Sequence, residues 1–91
     1  MNVTYRIDKD ILYIALEGRI DASNAAQAEE KIFSIKNENP GKHTVVDADN
    51  LEYISSAGLR VILKLRKEEP KLAIINVAPD VYEVFDMTGF T

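Results

Sequence analysis

The chain has 91 residues and a mass of 10.2 kDa, which leaves room for one domain. Its 46% hydrophobic and 29% charged residues are the balance of an ordinary globular protein and exclude disorder and collagen-like structure. A net charge of −4 opposes non-specific nucleic-acid binding, and the lack of cysteine excludes disulfides, thiolate metal sites and cysteine nucleophiles.

Val3, Tyr5 and Ile7 alternate with polar neighbours, the period-2 pattern of a half-buried strand. After the polar break Asp8-Lys9-Asp10, the β-branched and aromatic run from Ile11 to Leu16 predicts a second strand, ended by Gly18. So short a connection makes the pair an antiparallel hairpin. Asp21 or Ser23 is placed to cap a helix whose inner face is Ala25, Ala28, Ile32 and Ile35, at spacings of three and four. Asn39-Pro40-Gly41 stops that helix.

Thr44 to Ala48 predicts a third strand and Asp49-Asn50 a turn, after which Leu51 to Ile54 leads into a second helix. There Leu59, Ile62 and Leu63 form the apolar stripe, Arg60, Lys64 and Lys67 lie on the other side, and Pro70 closes the element. Lys71 to Val77 reads as a fourth strand, nearly continuous in apolar character as a buried parallel strand is. Pro79 opens a third helix, with Val81, Val84 and Phe85 inward and Gly89 as a left-handed cap. The order β-β-α-β-α-β-α predicts a single α/β layered domain over 1–91: a mixed four-stranded sheet with three helices.

The first 18 residues are broken by Arg6, Asp8, Lys9 and Asp10 and lack the apolar core of a signal peptide; no apolar run approaches a membrane span. The expected location is the cytoplasm, without membrane insertion, and the Asn2-Val3-Thr4 sequon is read as a chance match. Enzyme chemistry has little to stand on. One histidine, His43 in a polar loop, cannot supply the converging ligands of a metal site or a claim to a Ser-His-Asp triad. Four glycines, Gly18, Gly41, Gly58 and Gly89, make no phosphate-loop fingerprint. Asp47 and Asp49 flank a strand end, where solvated turn formers are the simpler reading than a metal or acid–base pair. The run Lys64 to Glu69 reads as a solvated helix end complementing the dipole, with a partner-binding patch as the alternative. No catalytic residue, cofactor or metal is expected.

One segment stands apart: Tyr53-Ile54-Ser55-Ser56-Ala57-Gly58-Leu59-Arg60 places two serines where a loop becomes a helix. From spacing alone they are a capping pair, either hydroxyl accepting a first-turn amide. The stretch VVDADNLEYISSAGLRVIL, however, resembles the phosphorylation-site region of STAS-domain anti-sigma-factor antagonists. LEGRID (Leu16 to Asp21) resembles the family's strand end and turn, and LAIINVAPDVYEVFDMTGF its fourth strand, turn and third helix. With the hairpin, the likeness spans essentially the whole chain.

The resemblance implies a regulator, not an enzyme. Its unphosphorylated form would bind a serine-kinase anti-sigma factor and free the sigma factor, and a phosphatase would reverse the modification. It places the phosphoacceptor on Ser56, with Ser55 where several members carry aspartate and itself a second candidate. Ala57 stands where serine or threonine is common, and Arg60 replaces a glycine of some members, free to meet a phosphate or a partner carboxylate. The implied docking patch is Asp21, Ser55, Ser56, Ala57, Gly58 and Arg60. Family members usually continue into a further strand and a C-terminal helix, whereas this chain stops at Phe90-Thr91, so the expected domain is minimal or C-terminally truncated. Two other functions stay open: a STAS scaffold independent of phosphorylation, and a small-ligand or nucleotide-binding domain using Asp47, Asp49 and the Ser55–Gly58 turn.

Overall fold

Alternating side chains in the first twenty residues build a hairpin, and each later strand is reached through a helix. A computed structural model describes the backbone of residues 1–87 and the side chains of 1–83. The elements are β1 (Asn2–Asp8), β2 (Ile11–Ile20), α1 (Ala25–Glu38), β3 (His43–Ile54), α2 (Ser56–Glu68), β4 (Ala73–Ile75) and α3 (Pro79–Met87). The sheet order is β1-β2-β3-β4, with β1 antiparallel to β2 and the other neighbours parallel. The expected order and mixed sheet are therefore the observed ones.

The period-2 rule selects the face of β2 that is buried: Leu12, Ile14 and Leu16 are at most 1% exposed. They join one cluster with Ala25, Ile32 and Ile35 of α1, with Leu59, Ile62 and Leu65 of α2, and with Val81 of α3. The inner face predicted for α1 is the buried one, Ala25, Ala28, Ile32 and Ile35. Elsewhere on the sheet the Arg6 guanidinium lies 3.8 Å over the Tyr13 ring.

Several expectations need correction. Gly18 does not end β2, which runs on to Ile20; with φ +89 it sits instead at an irregularity that a side-chain-bearing residue would strain. Asp49-Asn50 is not a turn. β3 is continuous over twelve residues, and its pairing steps from Ala15↔Asp47 to Glu17↔Asn50, then from Gly18↔Leu51 to Arg19↔Tyr53. Each step spends one more residue on β3 than on β2, so the polar pair is absorbed in a bulge. On β1 only Val3 is buried; Tyr5 and Ile7 stay exposed at the sheet edge. Leu63 faces outward, and Val61 and Leu65 take its place in the core.

The fourth strand is three residues long and half-buried, because it pairs on one side only. Pro79 does open α3 and Val81 is buried, whereas the Val84 and Phe85 side chains and Gly89 lie outside the described residues. No helix among the described residues is long and apolar enough to cross a membrane.

Candidate functional site

Parallel strands deliver their C-terminal ends to one side of a sheet, and the loops leaving them gather there. β2 ends at Ile20, β3 at Ile54, and the Ser55 amide donates to the Ile20 carbonyl at 2.9 Å. That bond sets the Asp21 turn beside the start of α2.

The two serines divide their work. Ser55 is the N-cap of α2, extended at φ −88 and ψ 176, and its Oγ accepts the Gly58 amide at 3.3 Å. Ser56 is the first residue of the helix; it is exposed, and its hydroxyl has no hydrogen-bond partner among the described residues. The Ser56 and Ala57 amides fall in the first turn, where a helix offers no internal acceptor. An exposed nucleophilic oxygen therefore stands at the positive end of a 13-residue helix whose first turn holds no acidic residue.

Gly58 explains why the helix can begin so close to the strands. A Cβ there would lie 2.7 Å from Ile54 Cγ1 and 2.8 Å from Ile20 Cγ2, both branch carbons near the backbone. Arg60, one turn beyond Ser56, is exposed and forms no ion pair among the described residues. It rims a cavity of about 310 Å³ between α1 and α2, floored by Ala22, Ala25, Ala26, Ala57 and Val61. Lys64 crosses this cleft to Glu29 at 2.9 Å.

The structure brings Asp21, Ser55, Ser56, Ala57, Gly58 and Arg60 to this one end, but neither Asp21 nor Ser23 is the cap of α1. The N-cap is Asn24, and it makes no side-chain capping bond. The Asp21 carbonyl accepts the Asn24 and Ala25 amides, while Asn24 Oδ1 accepts the Asp21 amide at 3.0 Å. The Asp21 carboxylate turns to Ser23, accepting its hydroxyl and, at 2.9 Å, its amide. Those bonds, the hydroxyl first, hold the Asp21 carboxyl below its ordinary pKa, with nearby Arg19 adding to the effect.

Two contacts of this end escaped the sequence. Arg19 lies 4.4 Å over the Tyr53 ring, a pairing created by the β-bulge and therefore without a fixed spacing signature. Asn76, in a left-handed conformation at φ 58, donates to Asp47 Oδ1 at 3.1 Å, which also accepts the Asp49 amide. Asp47 is thus bound into the bulge, and no group of acidic or histidine side chains among the described residues could hold a metal. His43 opens β3 instead of lying in a loop, and its Nδ1 is 3.4 Å from Glu69.

Comparisons with known proteins bear on the fold and the family. The family model for the STAS domain matches residues 2–91. BtrV of Bordetella bronchiseptica, assigned as an anti-sigma factor antagonist, is 36% identical over 84 residues, covering 88% of this chain and 72% of that protein. Among solved structures, an anti-sigma factor antagonist from Mycobacterium paratuberculosis superposes with a TM-score of 0.86 at 18% identity, covering 98% of this chain and 78% of the other. The anti-sigma factor antagonist SpoIIAA superposes at 0.75 in its unphosphorylated form, with 20% identity and 97% and 81% coverage. The phosphorylated form of Bacillus SpoIIAA superposes at 0.70, with 19% identity and 97% and 84% coverage. The chain belongs to the STAS-domain family of anti-sigma factor antagonists.

Proposed function

We propose that the unmodified chain docks a serine-kinase anti-sigma factor through the start of α2, releasing the sigma factor, and that phosphorylation of Ser56 switches docking off. The observation that carries this reading is the unequal state of the two hydroxyls. Ser55 is spent on the cap, whereas Ser56 is exposed, at N1 and without a hydrogen-bond partner among the described residues. The existence of SpoIIAA in a phosphorylated form gives the reading a precedent within the fold.

A phosphate on Ser56 adds about −1.5 to −2 charges, and the free first-turn amides can receive it without moving the domain. Docking is then lost at the interface, where a dianion would have to be desolvated against a surface shaped for a hydroxyl. Leaving such a charge unpaired costs roughly 3–5 kcal/mol, two to nearly four orders of magnitude in affinity. The chain acts by binding, not by catalysis, in the cytoplasm that holds the transcription machinery, and a phosphatase resets it.

The test is titration calorimetry of the host's anti-sigma-factor kinase against three chains. Wild type and Ser56→Ala should bind alike, and Ser56→Asp should bind at least a hundredfold more weakly. Ser56→Ala should also block ATP-dependent phosphorylation by that kinase. A Ser56→Asp chain that binds with wild-type affinity would favour a scaffold that ignores modification and would overturn the switch.

A further inference from the structure

The four side chains Ser56, Arg60, Leu63 and Lys67 follow one another at i, i+4, i+7 and i+11, which sets them in a single line along α2. All four are exposed, and Leu63, at 44%, is a large apolar side chain left in water between two cations. Neither Arg60 nor Lys67 has an ion-pair partner among the described residues, whereas the neighbouring Lys64 is held by Glu29. α2 carries four cations, Arg60, Lys64, Arg66 and Lys67, against the single anion Glu68, in a chain of net charge −4.

The helix dipole accounts for part of this. Arg66 and Lys67 lie in the last turn, where the C-terminal dipole favours a cation. Arg60 lies near the opposite, positive end, and the residues one turn away are Ser56 and Lys64, neither able to neutralise it. Leu63 is not part of the core cluster of the described residues. The described residues give no account of a guanidinium without an ion-pair partner among them and an exposed leucine on the same line as the exposed serine.

We propose that this ridge extends the docking surface along α2, and that its occupant is a protein surface carrying carboxylates that face Arg60 and Lys67 on either side of an apolar contact for Leu63. Charge complementarity selects an acidic partner, the exposed leucine selects protein over a phosphate backbone, and the net negative charge of the chain repels nucleic acid. Arg60 is the selectivity-setting residue: it reaches a partner carboxylate when Ser56 is free, and lies one turn from a phosphate when Ser56 is modified. The same event that blocks the hydroxyl would then also take away the cation the partner needs. This rests on the docking reading above and names the chemistry of the partner's face.

The test uses the full chain and the host's anti-sigma-factor kinase as the probe, with circular dichroism confirming that each variant is folded. Arg60→Glu should weaken binding roughly tenfold or more, Lys67→Glu and Leu63→Ser several-fold, and Arg60→Lys should restore most of the loss. The salt dependence of binding should flatten in Arg60→Glu. Lys31→Glu, an equal change of charge at an exposed position of α1 off the ridge, should leave affinity within twofold.

If Arg60→Glu and Lys67→Glu bind as wild type while Ser56→Asp does not, the ridge is overturned and the switch stands. If Arg60→Glu weakens binding while Ser56→Asp does not, the ridge stands and the switch falls. Wild type failing to bind, or binding a double-stranded DNA oligonucleotide more tightly at matched salt, overturns the acidic protein partner.

Discussion

Ser55 and Ser56 are the same residue type one peptide apart, and the turn of backbone between them gives them opposite roles. Because Ser55 Oγ accepts the Gly58 amide, Ser55→Ala removes an N-cap and should lower stability by about 1 kcal/mol in urea denaturation. Ser56→Ala removes an exposed hydroxyl that has no hydrogen-bond partner among the described residues and should change stability by less than about 0.5 kcal/mol. The sequence showed a capping pair without showing which member caps; only the φ and ψ of Ser55 separate them. Asp21 gives a second expectation. Its carboxyl is held low chiefly by the Ser23 hydroxyl, so the turn's contribution is complete above the ordinary aspartate range and is lost as pH falls through the depressed folded value. Ser23→Ala should move the Asp21 titration, followed by carboxyl carbon NMR, up toward the ordinary value; an unmoved midpoint would show that the hydroxyl is not the cause.

At the scale of elements, α2 is positioned by close approach. Gly58 lets the helix start against Ile20 and Ile54, and an added methyl would meet branch carbons that cannot swing aside. Gly58→Ala should cost about 1–3 kcal/mol and displace the Ser55–Ser56 segment, seen as a lower urea midpoint and shifted amide resonances in both serines. The helices were legible because a period of three and four survives in α1 without help from context. The strands were less so. Asp49-Asn50 carries turn chemistry, yet pairing with β2 before and after it, at Ala15↔Asp47 and Gly18↔Leu51, held the chain extended and turned the signal into a bulge. β4 looked buried from its apolar run, but a sheet edge gives that run one neighbour, and three residues suffice.

Across the whole molecule, the surface area expected of a chain this size, roughly 5,300 Å², is close to the 5501 Å² found. What size and composition could not show is the polar tie at the end opposite the serines. Glu69, read as a solvated residue, accepts the Thr44 amide at 2.8 Å and lies 3.7 Å from Lys36 and 3.4 Å from His43, joining α1, β3 and the end of α2. These partners stand 25 to 33 residues away from Glu69, beyond any local pattern. Thr44 itself is 0% exposed, and its Oγ1 has no hydrogen-bond partner among the described residues. Thr44→Val keeps the shape, removes the orphan oxygen and leaves the backbone bond to Glu69, so it should raise stability by about 1 kcal/mol. A loss of stability instead would mean that the hydroxyl is satisfied in solution.

The stacking of Arg19 on Tyr53 has a practical side. The chain contains no tryptophan, so tyrosine dominates its near-ultraviolet emission. Indole offers a cation a better face than phenol, and Tyr53 is 39% exposed and two residues before the cap of α2. A Tyr53→Trp chain would therefore keep the guanidinium overhead and place one fluorophore beside the serines. Its emission maximum would register a partner's arrival on a background that is otherwise dark at that wavelength.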